Sequence, residues 1–169
     1  FSVLVLTSLW LGETVVDTAF GGQVREELKK MQQQRAIDSA TDHVVVCGYG
    51  TFGRTLTTRL LEAGRTVVVV ESETAIGERV PEDALVVEGD ARREATLQEA
   101  GVERASALVA AIDDSNASIQ IAVVASQLAP QQEIVVRVGA ESYESVARRA
   151  GADVVVVPEV VSANEIGAD

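Results

Sequence analysis

The chain has 169 residues, 47% of them apolar and 4% aromatic, and carries a formal charge of −12. That length holds one good core plus an appendage, and the core must be built from Val, Ala and Leu. With 26 acidic against 14 basic residues, Lys29 and Lys30 being the only lysines, the chain lacks the cationic face that a nucleic-acid partner needs.

An ordinary acidic protein and one adapted to high salt both fit this charge. The single cysteine, Cys47, rules out a disulfide framework or a cysteine-based metal site, and a reduced, cytoplasmic setting is expected.

Residues 1–11, FSVLVLTSLWL, are apolar apart from Ser2, Thr7 and Ser8, and Gly12 and Glu13 break the run. The run falls short of the ~20 residues that cross a bilayer, and no basic flank marks it as a signal peptide. With Phe1 at its head, the segment 1–22 is expected to be the end of a transmembrane helix; a buried or partner-bound helix is the alternative. Residues 24–37, VREELKKMQQQRAI, are good helix formers, polar around most of the circumference, with Glu26 and Lys30 in the favoured i,i+4 order. Such a helix acts as a connector. Residues 38–42, DSATD, read as a short linker, so 23–42 is taken as connector and linker, with the domain boundary near Ser39.

From there the pattern alternates. Strands are predicted at 43–48, 66–71, 84–88, 107–112, 133–138 and 153–157, and helices at 51–63, 73–79, 93–100, 115–128 and 141–150. Unbroken runs such as VVVV at 67–70 and 154–157 suit strands buried on both faces. The predicted fold is α/β: a Rossmann-like, doubly wound, parallel six-stranded sheet with right-handed crossovers, preceded by an N-terminal helical segment.

The first strand runs into Gly48-Tyr49-Gly50-Thr51-Phe52-Gly53, a G-x-G-x-x-G between strand and helix, the context a phosphate-binding turn requires. Gly48 permits the tight turn, Gly50 lets a pyrophosphate approach the backbone, and Gly53 lets helix and strand pack closely. The helix N-terminus favours an anion, and Arg54 is a candidate phosphate contact or a plain exposed residue. Glu71 ends the second strand, 18 residues past Gly53. A carboxylate there accepts both hydroxyls of an adenine ribose and repels a 2′-phosphate, favouring NAD(H) or ATP/ADP over NADP.

Asp90 ends the third strand, as a ligand-edge acid or as the cap of the next helix. After the fourth strand, Asp113, Asp114 and Asn116 share that edge; small Ala110 and Ala111 leave room for a ribose or an adenine, and capping accounts for Asp114. Nothing catalytic stands out: the only histidine, His43, starts the first strand at the opposite edge, so no Ser-His-Asp set or Cys/His cluster arises. The expectation is a binding domain and not an enzyme.

Several stretches together resemble the RCK, or KTN (TrkA-N type), nucleotide-binding domain that regulates potassium channels and transporters. They are HVVVCGYGTFGR, VVVVESE, VVEGDARREATLQEAGVERASALVAA, DDSN, IVVRV and AGADVVVVPE. The resemblance covers about 43–167, and the domain is taken as 43–169. It implies a Rossmann-type sheet that dimerises through its last helices, often within an octameric ring whose ligand-driven change of shape reaches a membrane pore.

By position, the resemblance makes Gly48, Gly50, Gly53 and Glu71 nucleotide-binding residues. Asp90 and Ala91 match the family's GDAT element beside the adenine, with Arg92 in place of Thr. Arg137 matches a family arginine near the phosphate or the dimer contact, and a salt bridge to a neighbouring acid is its other reading. Calcium-gated members carry acids where this chain has Arg137 and Gly139, which leaves the glycine loop as the ligand site.

The resemblance therefore implies a homo-oligomeric, nucleotide-sensing domain of a prokaryotic potassium channel. It would be anchored at the cell membrane by its N-terminal segment, with 39–169 on the cytoplasmic side. A soluble Trk or Ktr transporter subunit, the tail of a cation/proton antiporter and a fragment of an NAD-dependent enzyme are the rival expectations.

Overall fold

A computed structural model describes residues 2–73 and 76–158. The chain divides into two units, Phe1–Ala36 and Ile37–Asp169. The first is occupied by a long helix, α1 (Ser2–Ser39), whose last turn belongs to the second unit. Among the described residues no helix is long and apolar enough to cross a membrane. Val24, Leu28 and Met31, at i, i+4 and i+7, are all more than half exposed, so α1 carries an apolar stripe within a surface that reads as polar from composition alone.

The second unit alternates strands and helices: β1 (Val44–Cys47), α2 (Thr51–Glu62), β2 (Val67–Glu71), β3 (Leu85–Glu88), α3 (Glu94–Glu99), β4 (Ala107–Ala110), α4 (Ser115–Leu128), β5 (Glu133–Arg137), α5 (Glu144–Arg149) and β6 (Val154–Val156). All pairings are parallel, in the order β3-β2-β1-β4-β5-β6, the doubly wound arrangement expected from the alternation. Because side chains alternate across a strand, Val45, Cys47, Val68, Val70, Leu108 and Val136 face one apolar layer. Val44, Val46, Val67, Val69 and Val109 face the other. Leu97, Ile121, Ala122, Ala125 and Ala147 of α3, α4 and α5 cover the first layer, and Phe52, Leu56, Leu60 and Leu61 of α2 cover the second. Small Val and Ala side chains let helices lie close to the sheet, and each fully buried Val contributes about 1.5–3 kcal/mol.

Two elements differ from the expectation. The helix expected at 73–79 is a single 3-10 turn, Ile76–Glu78; residues 74 and 75 lie outside the described residues. Buried Ile76 and Val80 anchor this connection, and Pro81 stops it, so too few residues remain for a second full turn. The linker expected at 38–42 is shorter, because α1 continues through Ser39. Ile37 sits in the core at 1% exposure, and Arg104 donates to the carbonyls of Ile37 and Ala40, satisfying acceptors at the helix end. Asp42, at φ 58, then turns the chain into β1. The end of the predicted domain, 159–169, lies outside the described residues.

Candidate functional site

Strand order reverses between β1 and β4, and in open α/β sheets the crevice beyond such a reversal is where ligands sit. The glycine loop lies at that point. Gly48 has φ +100, and a Cβ there would come within 2.9 Å of Ile112 Cγ1. Any other residue would be strained and crowded at once. A Cβ on Gly53 would collide with the carbonyl oxygen of Gly48, so α2 packs on the turn at a distance only glycine allows. Gly50 is the N-cap of α2 and lends no side chain to the first-turn N–H groups. The nearest atom that a Cβ at Gly50 would meet is Asp113 Oδ2, at 3.7 Å. A backbone cradle of this kind favours an anion.

Glu71, at the tip of β2, closes one side of the loop. Its Oε2 accepts from the Tyr49 N–H at 2.8 Å, and its Oε1 accepts from the N–H groups of Ser72 and Glu73 at 2.7 and 3.2 Å and from the Ser72 hydroxyl at 3.2 Å. Burial alone would raise the carboxyl pKa. The hydrogen bonds from Tyr49, Glu73 and Ser72 outweigh it and hold the group below its ordinary value. Glu71 is thus an ionised acceptor at neutral pH, tied to the glycine loop by the Tyr49 N–H. The Tyr49 ring packs into the core beside Val46 and Val69.

Arg137, at the end of β5, reaches across β4. Its Nη1 pairs with Asp113 Oδ1 at 2.8 Å and donates to the Ile112 carbonyl at 3.4 Å, and its guanidinium lies 5.7 Å from the centre of the Phe52 ring. Its Nε is buried with no hydrogen-bond partner. The guanidinium therefore stands against the glycine loop through Phe52, and the neighbouring acid allowed for in its second reading is Asp113.

The remaining candidates fall into two groups. Thr51 and Arg54 are exposed on the first turn of α2, beside the loop. Ala91 and Ala111 are 4% and 3% exposed and serve the core, so each has little but backbone to offer a ligand. Asp90 pairs with Arg92 at 2.8 Å and accepts from the Arg92 N–H. It does not cap α3, whose N-cap is Arg93 with no side-chain hydrogen bond. The Arg92 guanidinium and N–H hold the Asp90 carboxyl below its usual value. Asp114 does cap: its Oδ1 accepts from the N–H groups of Asn116 and Ala117, as expected for the start of α4.

His43 is fully buried at the opposite edge, hydrogen-bonded through Nε2 to the Ala100 carbonyl. Burial pushes the Cys47 thiol up to about 12, with Glu71 adding to the shift, which disfavours the thiolate that a nucleophile or metal ligand needs. Among the described residues no group of three or more His, Cys, Asp or Glu is placed to hold a metal ion. Sequence reasoning put Asp113 at this edge and allowed Arg137 a neighbouring acid, but did not name Asp113 as that acid or Phe52 as the ring beside it. The available signal was that both polar residues follow apolar strands that turn out to be neighbours.

The TrkA-N domain family model matches residues 44–158, which is more than half of the chain. Probable potassium channel protein 2 of Methanocaldococcus jannaschii is 28% identical over 165 residues, covering 94% of this chain and 46% of that protein. The chain thus spans less than half the length of that relative. Among solved structures, the TrkA-N domain of inner membrane protein ybaL from Escherichia coli is 26% identical at a TM-score of 0.70, over 76% of this chain and 96% of that one. The Shewanella denitrificans Kef CTD in its AMP-bound form is 28% identical at a TM-score of 0.65, over 74% of this chain and 76% of that one.

Proposed function

The chain belongs to the TrkA-N domain family, and from that premise we propose that it is the ligand-sensing domain of a potassium channel, binding an adenine nucleotide (NAD(H), ATP or ADP) and gating the pore. One observation carries the reading. The glycine loop, with Gly48 and Gly53 intolerant of a side chain, stands at the strand-order reversal with ionised Glu71 tied to it through the Tyr49 N–H. The phosphates bind at Gly50 and the N-terminus of α2, where Thr51 and Arg54 flank them. The ribose lies toward Glu71, which disfavours a 2′-phosphate. The adenine lies toward Asp90 and Ala91, with Ala111 forming the floor. Similarity to an AMP-bound Kef domain and to a potassium channel protein supports both the ligand class and the setting.

The domain binds and does not catalyse. Copies of it pair and assemble into a ring attached to the pore through the N-terminal segment, with 39–169 on the cytoplasmic side of the membrane. A ligand that prefers one ring shape pulls on α1; moving a gate from mostly closed to mostly open takes a preference of about 5.5 kcal/mol, which several subunits share.

The test is calorimetric titration of the 169-residue chain with NAD+, NADH, ATP, ADP and NADPH, beside Glu71→Ala. Micromolar binding of a nucleotide with an unphosphorylated ribose, weakened by about 1–3 kcal/mol in the variant, supports the reading. A folded chain that binds none of them refutes it.

A further inference from the structure

Resting on the nucleotide reading above, we infer that Asp113 is a built-in occupant of the phosphate position: its carboxylate holds Arg137 in front of the glycine loop, and an incoming phosphate must displace it and take over the arginine. Gly50 is where the loop backbone is bare, and a carboxylate oxygen, Asp113 Oδ2, is the nearest atom to the space that a side chain would fill. The other oxygen of the same group pairs with Arg137 at 2.8 Å. A carboxylate and a phosphate present the same negative oxygens to a guanidinium.

The two partners are unequally held. The Arg137 side chain is 18% exposed, lying against the Phe52 ring and donating to the Ile112 carbonyl, whereas the Asp113 side chain is 81% exposed. The arginine is the fixed half of the pair and the acid the movable half. With its acid open to water, the pair adds little stability, while a negative charge in front of a phosphate cradle opposes every ligand that carries phosphate. Arg137 also keeps a buried Nε without a partner, so Asp113 leaves part of its donor capacity unused. Asp113 therefore sets a threshold: it lowers affinity for all phosphorylated ligands, most for those with the greatest charge.

The experiment titrates AMP, ADP and ATP into the 169-residue chain and into Asp113→Asn and Asp113→Ala at one fixed ionic strength, with thermal melts to confirm that each variant is folded. Removing the acid should tighten AMP by about threefold and ATP by more, because each added phosphate charge no longer meets a like charge. Both variants should agree, since each removes the charge and only one changes the shape. Unchanged or weaker binding in the variants, with the wild-type chain still binding, overturns the inference and leaves the nucleotide reading standing. If neither the wild-type chain nor the variants bind any of the three, the nucleotide reading falls and this inference falls with it.

Discussion

Replacing Glu71 by Gln keeps the shape of the side chain and removes its charge, which isolates the role of the carboxylate in holding the loop. In the structure one oxygen accepts from Tyr49 N–H and the other from two N–H groups and a hydroxyl, so both ends of the group face donors. A Gln must point its NH2 at one of those sets. At least one N–H, that of Tyr49 or those of Ser72 and Glu73, then loses its acceptor, and the charge-assisted part of the others is lost as well. The cost at pH 7 should be about 1–2 kcal/mol, toward the lower end of such losses because the site is partly open to water.

The sign with pH follows from the lowered carboxyl pKa in the folded chain. The carboxylate's contribution is fully present above the unfolded value, ~4.3, and is lost as pH falls through the folded value. Urea unfolding followed by circular dichroism, from pH 7 down to the lowest pH at which the chain is folded, measures the gap between wild type and Glu71→Gln. Glu82→Gln, at an exposed carboxylate, serves as the control. The gap should narrow as pH falls below about 4.3. No gap at pH 7, or one that stays constant across the range, would refute the assignment of Glu71 as the ionised anchor of the loop.

Other expectations follow from the same geometry. Gly53→Ala drives a methyl into the Gly48 carbonyl oxygen and should lower the melting temperature sharply, a loss of about 3 kcal/mol or more, because backbone must move. Asp114→Ala removes the cap of α4 and should cost about 1 kcal/mol in urea unfolding. Burial lowers the His43 pKa, so unfolded chains take up its proton first and stability should fall as pH drops below ~6.5; His43→Gln should flatten that slope between pH 7 and 5. Cys47, with its thiol raised to about 12 and fully buried, should resist alkylation at pH 8 in the folded chain and react on unfolding, as mass spectrometry would read directly.

The sheet was legible because its strands are short, mostly valine-rich apolar runs, VVVC, VVVV and ALVA, bounded by glycine and by polar helices, and their length and β-branched content mark them as strands. The glycine loop was legible for a related reason: two of its three glycines are forced by backbone crowding, and that leaves a mark in the sequence. The helix at 73–79 was misread because ETAIGER carries helix-compatible residues, while the anchoring of Ile76 and Val80 in the core is a tertiary matter. Ile37 was placed on the connector, because a single apolar residue after a polar run does not reveal that it plugs into another layer. For Arg137 a salt bridge to a neighbouring acid was foreseen, but which acid was not, because Arg137 and Asp113 are 24 residues apart and the pairing of β4 with β5 is what brings them together.

Glu71 illustrates how a residue's place is readable while its state is not. From the sequence it offers two free oxygens to a ribose; in the structure Oε1 accepts three hydrogen bonds and Oε2 one. A carboxylate has about four lone-pair sites, so Oε1 is crowded and Oε2 keeps an open one. Under the proposed reading the ribose hydroxyl reaches Oε2, the oxygen that already holds the Tyr49 N–H between Gly48 and Gly50. Ribose recognition and the shape of the phosphate cradle then share a single atom. In that reading a ribose on Oε2 acts on one flank of the glycine loop, and a phosphate that displaces Asp113 takes over Arg137 on the other. The loop is thus held from both sides by charged groups that a nucleotide would engage, while its floor of Ala111 and Val109 is buried and fixed. Under that reading, a nucleotide that prefers one arrangement of these two flanks shifts the domain toward it by its difference in affinity for the two.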